Sequence, residues 1–382
     1  MTQAFIDMMS ILVSGAKGEK VSQTAEFDII AIKEHARRQQ VWPMVNSALG
    51  EITPELLQMA MRKKQRQNAV YKIVQKLEGQ GIPCCFLKGE ILDDMYADPS
   101  IRLTADTDLL IDPAHEKTVM KLLRENDFLI HERENSSNEL KSTHKFAGLV
   151  EFHIALDNKQ MTEVWFNNKT KEIEPFRTHI SKSNIKYTTL SETDGLTFVF
   201  LHFVKHFISG VGNIKMIMDI LMYMETYKAS VNWEKFDNLI EDLGYTKILM
   251  VIQYIGTKYL GFEHKTDDFS EIADQILTDM ENRSETEDET AFYYEYTRLR
   301  YEKFYGDDYL KYEKKLNRQN FKKRYLPARI TMIPKYPYLI KYPFLLPYAW
   351  FIRALSFVLR KNSPTPNNQN SRINLIKDLE LY

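Results

Sequence analysis

The sequence predicts an α+β protein, a small sheet domain set between helical modules. Three observations carry this expectation. Apolar residues recur at helical spacing up to about residue 80 and again from about residue 191. Between residues 81 and 190, short apolar runs bounded by turn residues alternate with helical stretches. One of those runs is headed by an Asp-x-Asp pair, Asp106 and Asp108.

A chain of 382 residues has room for two or three modules and a sizeable core. Hydrophobic residues at 44% and charged residues at 27% place it among soluble globular proteins. Lys plus Arg number 51 against 52 Asp plus Glu, so there is no global basic excess to favour a nucleic-acid partner, although a local patch is permitted. The two cysteines, Cys84 and Cys85, are adjacent. Strand neighbours point to opposite faces, which disfavours a disulfide, and two thiols build no metal framework. A reducing, cytoplasmic setting is expected. The first twenty residues read as an amphipathic helix rather than a signal peptide, because an acid interrupts the apolar run and no basic start precedes it. No run of 18 apolar residues occurs, so no plain membrane-spanning helix is expected.

Residues 1–80 form the predicted helical N-terminal module. Its clearest element starts at Thr53 with Pro54 at the first helical position, carries an apolar pattern of Ile52, Leu56, Leu57, Met59, Met61, Val70, Ile73, Val74 and Leu77 at spacings near 3.6, and runs without a breaker to Gly79 and Gly81. The sheet domain is predicted over 81–190. Ile82 to Leu87 reads as a buried strand, followed by Lys88-Gly89 and a helical stretch to Tyr96. Asp98-Pro99-Ser100 is a turn, Thr107 to Ile111 a second buried strand, and Glu116 to Asn126 a helix. Phe128 to His131 is a third strand, Lys145 to Leu156 a hairpin bending near Gly148, and Ile185 to Leu190 the last strand. A helical domain follows over 191–330. Ser191 to Asp194 form a capping box, Gly210 and Gly212 end the first helix, and further helices cover Ile214 to Tyr227, Trp233 onward behind Asn232, and Lys247 to Leu260. Residues 281–289 read as an acidic loop, 312–324 as a basic solvated face, and 363–371 as a polar linker.

Asp106 and Asp108 sit two apart on a strand, so both carboxylates face one side of the sheet. Paired carboxylates call for a cation, and hard oxygen ligands with substrate phosphates suit Mg²⁺. Lys88 offers a point charge to phosphate, and Gly89 lets phosphates approach the backbone. Glu151 supplies a third acid on a later strand, with His153 on the same face. Three such acids beside a glycine turn suit two-metal phosphoryl transfer.

These residues resemble the uncharacterised bacterial nucleotidyltransferase family of the polymerase-β-like superfamily. The resemblance rests on Leu87-Lys88-Gly89, Tyr96-Ala97-Asp98-Pro99, Arg102, Asp106-Thr107-Asp108 and Glu151-Phe152-His153. It continues through His202 to His206, Met218-Asp219-Ile220 and Asn232-Trp233, covering roughly residues 70–262. It implies a polymerase-β-like core, a small mixed sheet with helices. Asp106, Asp108 and Glu151 are the implied catalytic and metal-binding residues, with two Mg²⁺ ions. The implied substrates are an NTP, with ATP the expected donor, and an unidentified hydroxyl-bearing acceptor (small molecule, saccharide or protein). Lys88, Gly89, Arg102, His153 and Lys205 are the implied nucleotide-binding residues. Bacterial relatives look like accessory enzymes of surface-polysaccharide or secondary-metabolite pathways. Two departures stand out. Glu90 replaces the usual small hydroxyl residue, and the stretch from Gly89 to Asp106 is long.

Two rival readings remain: a nucleotide-binding module that has lost turnover, and an antitoxin-like transferase acting on RNA ends. His202 and His206 share a helix face, where packing beside the catalytic domain is favoured over zinc binding. Asp219 on an apolar helix calls for Lys215 or Arg102 as its partner. The aromatic, proline-rich segment 331–361 is read first as a strap and second as a peripheral membrane-surface segment.

Overall fold

The computed structural model describes residues 1–21, 27–131, 139–153, 177–264, 266–282, 296, 299, 326, 329–332, 336, 338–359 and 366–381. The chain divides into two compact units, residues 1–207 with 211–281, and residues 208–210 with 282–382.

The first unit opens with α1 (Gln3–Ala16), α2 (Ile29–Arg38), α3 (Trp42–Ala48) and α4 (Pro54–Glu78). Thr2, Asp28 and Thr53 cap α1, α2 and α4 by accepting backbone N–H groups that the first turn leaves unpaired. The sheet follows: β1 (Cys85–Phe86), α5 (Glu90–Asp93), β2 (Asp106–Leu110), α6 (Glu116–Glu125), β3 (Leu129–Ile130), β4 (Glu139–His144), β5 (Gly148–His153), β6 (Arg177–Ile180) and β7 (Lys186–Thr189). Their order across the seven-stranded sheet is β3-β4-β5-β2-β1-β7-β6. It is mixed: β2 runs parallel to β5 and β1 parallel to β7, while the other pairs are antiparallel. The α+β architecture with a small mixed sheet is therefore the observed one.

Alternation along β2 sorts its side chains. Thr107 and Leu109 enter the face where Val150 and Phe152 of β5 are also buried. Tyr71 of α4 closes over Phe86 with ring centroids 5.9 Å apart. Asp106 and Asp108 lie on the other face with Glu151 and His153. Phe198 of α7 (Glu192–Ser209) packs edge-on to His153 there, at 6.3 Å. Ser191 caps α7 through Asp194. The helices α8 (Ile214–Thr226), α9 (Trp233–Asp242), α10 (Thr246–Tyr259) and α11 (Ser270–Asn282) complete the unit, and Asn213 and Asn232 cap α8 and α9.

In the first unit the structure departs from the sequence reading at three places. The hairpin's first arm is β4, over 139–144, and not the stretch after Lys145, which forms the bend. That arm carries Glu139, Lys141 and Thr143 on one face, so it lacks an apolar run. The strand β6 went unforeseen because Arg177–Ile180 is a polar edge strand. The expected acidic loop starts too early, since Glu281 is buried in α11 and accepts from the Thr2 backbone and hydroxyl. Residues 283–289 and 312–324 lie outside the described residues. Cys84 and Cys85 are buried free thiols.

The second unit contains α12 (Arg329–Met332), α13 (Tyr338–Lys341), α14 (Leu346–Leu359) and α15 (Pro366–Asp378). Met332, Tyr336, Leu339 and Ala349 form a small core, with Trp350 and Ile352 against it. Residues 366–371, expected in a linker, open α15 instead. Proline is tolerated in a helix's first turn, and Leu375 and Ile376 are buried further along it. Among the described residues, no helix is long and apolar enough to cross a membrane.

Candidate active site

The parallel pairing of β2 with β5 sets Asp108 beside Glu151, and Asp106 beside Leu149. The antiparallel β4 adds Lys141 opposite Glu151 and Glu139 opposite His153. One sheet face thus gathers four acids, a lysine and a histidine. Lys88, just beyond β1, reaches over this face. Its Nζ lies 3.3 Å from Asp106 Oδ2, 3.2 Å from Asp108 Oδ2 and 3.0 Å from His202 Nε2. Burial opposes charge on Lys88, but the Asp108 and Asp106 carboxylates outweigh it and raise its pKa. Burial likewise opposes ionisation of Asp108, yet Lys88 and a 2.9 Å hydrogen bond from His153 hold it at about 2. His202 is pushed well below the ordinary imidazole value by burial and then by Lys88. His206 falls to about 4 for the same two reasons. Both rings are therefore neutral, and His202 accepts from the Lys88 ammonium.

Gly89 turns the chain from Lys88 into α5 with φ +84° and ψ −101°. A Cβ there would make only ordinary contacts, so backbone conformation rather than space demands glycine. Glu90 does not crowd the acid face. Its Oε1 faces the Thr107 hydroxyl at 3.5 Å, and Thr107 alternates with the two aspartates. Glu90 is buried, its Oε2 lacks a hydrogen-bond partner, and burial with the nearby Asp93 raises its pKa to about 7.

The long stretch from α5 to β2 is held by ion pairs. Arg102 donates through Nε and one terminal nitrogen to Asp219, at 2.7 and 2.8 Å, and through the other to Asp93 and Thr104. Tyr96 donates to Asp219 at 2.7 Å, and Lys215 stands 3.6 Å from it. Both partners foreseen for Asp219 are therefore present. Lys63 of α4 pairs with Asp93 at 2.8 Å and donates to the Arg102 carbonyl. Arg66 donates to the carbonyls of Thr104 and Ala105, pinning the approach to Asp106.

A cavity of about 230 Å³ opens beside Asp106, lined among others by Lys88, Gly89, Arg102, His202, His206 and Lys215. Lys215 was not singled out as a site residue from the sequence. Burial and then Arg102 lower its pKa to about 8, so an ammonium with little excess stability faces the cavity. The available signal was a lysine in the first turn of an otherwise apolar helix, four residues before Asp219. Glu139 and Lys141 were also missed. Lys141 donates to Glu151 at 2.8 Å and lies 3.3 Å from Glu139. Lys205 is half-exposed, 3.7 Å from Glu139, and is not among the cavity-lining residues.

These groups suit a divalent ion. Asp108, Glu151 and His153 each offer a ligand atom, all within 4.8 Å of one another. Asp108 Oδ2 is buried, with the Lys88 ammonium 3.2 Å away. Asp106 stands outside that trio and joins the site through the shared Lys88.

No curated protein matches the chain. Two solved structures similar to it are those of the antibiotic-resistance factor ANT(2'')-Ia and an antigenic nucleotidyltransferase-like protein from Paracoccidioides brasiliensis. The first has a TM-score of 0.30 and 11% identity, covering 42% of this chain and 84% of that one. The second has a TM-score of 0.31 and 18% identity, covering 53% and 94%. Residues 31–261, more than half of the chain, match an uncharacterised nucleotidyltransferase family. That span holds the acids, Lys88, Gly89, Lys215 and Asp219, and the chain belongs to this nucleotidyltransferase family.

Proposed function

We propose that the protein transfers a nucleoside monophosphate from an NTP, with ATP the expected donor, to a hydroxyl group on an acceptor, using Mg²⁺. The observation that carries this reading is the placement of Asp106, Asp108 and Glu151 on one sheet face beside a lysine-lined cavity. Two Mg²⁺ ions held by Asp106, Asp108 and Glu151 would neutralise the triphosphate and acidify the attacking hydroxyl when bound. Lys88 and Lys215 put ammonium groups at the cavity wall, where phosphate charge develops. His202 restrains Lys88, and His153 orients the Asp108 carboxylate. The acceptor oxygen forms a bond to the α-phosphorus, the bond from that phosphorus to the β-bridging oxygen breaks, and pyrophosphate leaves with the electron pair. Glu151, oriented by Lys141, takes the acceptor's proton. Arg102 acts by organising the wall, since its three nitrogens donate to protein acceptors.

Incubation with NTPs labelled at the α-phosphate tests this. Metal-dependent label transfer with stoichiometric pyrophosphate release is expected. Nucleotide binding without pyrophosphate release selects the inactive module. Glu90 and the long stretch from Gly89 to Asp106 are the sequence features that favour that rival; Glu90 turns toward Thr107, off the acid face.

The second unit supports a peripheral membrane contact as part of the same proposal. Phe344, Tyr348, Phe351 and Leu355 are exposed at 74%, 56%, 63% and 43%, and their 4-3-4 spacing makes one helical stripe. The opposite side of α14 packs Ala349 against Leu339 and Met332. Aromatic residues on such a stripe, with Lys341 at its start, suit the headgroup region of an anionic bilayer.

A further inference from the structure

A second groove, of about 610 Å³, shares Arg102, Thr104 and Ala105 with the cavity beside Asp106. The segment that leads into the acid pair is thus a wall common to both. The groove's remaining lining comes from α3, α4 and the β4–β5 bend, and its charge is one-sided. Five cations line it (Arg62, Lys63, Arg66, Arg102 and Lys145) against one acid, Glu55. Lys63 is matched by Asp93, Arg102 by Asp219 and Asp93, and Glu55 by Arg37 from outside the groove. Among the described residues, Arg62, Arg66 and Lys145 are left without a carboxylate partner. Arg66 spends its terminal nitrogens on backbone carbonyls, and its buried Nε has no hydrogen-bond partner. Phe146, half-exposed, carries the Lys145 ammonium 5.3 Å from its ring centroid. Trp42 contributes a second aromatic wall.

We propose that this groove binds the acceptor, a small hydroxyl compound carrying an anionic group, phosphate or carboxylate. The assignment rests on the transfer reading given above. The acceptor must approach Asp106 from a space other than the one that holds the nucleotide, and this groove borders the nucleotide cavity along Arg102, Thr104 and Ala105, next to Asp106 in the chain. Its volume fits a small molecule. Three cations without a carboxylate partner match one or two anionic groups: the guanidinium fork of Arg62 suits planar or tetrahedral oxyanions, Lys145 adds an ammonium, and Arg66, held by backbone carbonyls, adds its charge alone.

The test titrates glycerol 3-phosphate, and glycerol as its uncharged counterpart, into the full chain with the nucleotide site filled by α,β-methylene-ATP and Mg²⁺. Glycerol 3-phosphate is expected to bind and glycerol not. The double substitution Arg62→Ala with Lys145→Ala, at exposed positions, is expected to weaken glycerol 3-phosphate by about tenfold while nucleotide affinity holds. Equal binding of the two compounds, no binding of either, or indifference to the double substitution overturns the proposal. So does a single-stranded RNA that binds through Arg62 and Lys145 and is not displaced by glycerol 3-phosphate. Failure of the transfer reading looks different. The wild-type chain then binds no nucleotide while glycerol 3-phosphate still binds through Arg62 and Lys145, which removes the acceptor role and leaves an anion site.

Discussion

Arg102 and Asp219 form a buried bidentate pair, Nε to Oδ1 at 2.7 Å and the terminal nitrogen to Oδ2 at 2.8 Å. The pair joins the segment leading into the Asp106 strand to α8, so the sheet that carries the acids and the following helices share one charge cluster. Burial opposes ionisation of Asp219, but Arg102 and Lys215 hold it at about 2.

Removing one partner of such a pair leaves a buried charge without compensation. Asp219→Ala is expected to destabilise the unit by about 3–5 kcal/mol, read as a lower urea midpoint. An unchanged midpoint would show that the cluster does not hold the two parts together.

Asp106→Asn and Asp108→Asn each remove a carboxylate while keeping volume. Both variants are expected to fold, by thermal melt, and to form no labelled product. Transfer retained in both would falsify the assignment of the acid pair.

The Lys215 ammonium faces the cavity with its pKa lowered to about 8. Bound phosphate favours the charged form, so nucleotide binding takes up a proton near that pH. Affinity is expected to fall as pH rises through about 8, and Lys215→Met is expected to flatten this profile while weakening binding at pH 7. Calorimetry in buffers of different ionisation enthalpy measures the proton uptake.

Glu90 gives a stability signature instead. The folded protein retains its proton up to about pH 7, whereas the unfolded chain loses it near the ordinary glutamate value. Stability should therefore fall as pH rises across that window. Glu90→Gln is expected to remove the dependence and to gain up to about 3 kcal/mol at pH 8 over wild type. Denaturant titrations at pH 5 and pH 8 compare the two chains.

Phe344→Ser with Phe351→Ser removes two aromatics of the exposed stripe, one in the turn just before α14 and one on the helix. Co-flotation with phosphatidylserine vesicles is expected for the wild type and lost in the variant, with unchanged melting. Equal flotation, or none for either protein, removes the membrane contact.

Local chemistry made part of this protein legible in one dimension. The period of two along Asp106-Thr107-Asp108 assigned both aspartates to one face, and the same rule placed Glu151 with His153. Thr53 with Pro54, Ser191 and Asn232 announced helix starts, because side-chain caps act within one turn. Cost arguments worked as well. A carboxylate on the apolar α8 needed a cation, and Arg102 and Lys215 meet that need. What tertiary structure alone decided is register and approach. Pairing of β2 with β5 and β4 brought Glu139 and Lys141 to the acid face, although β4 is too polar to read as a strand. Packing of α7 and α8 placed His202 against Lys88 and turned Lys215 into the cavity. The fold also aimed Glu90 at Thr107, a direction that no spacing of residues encodes. Contacts between residues distant in the chain depend on which elements dock. Periodicity and caps report only the neighbours within a turn or a strand.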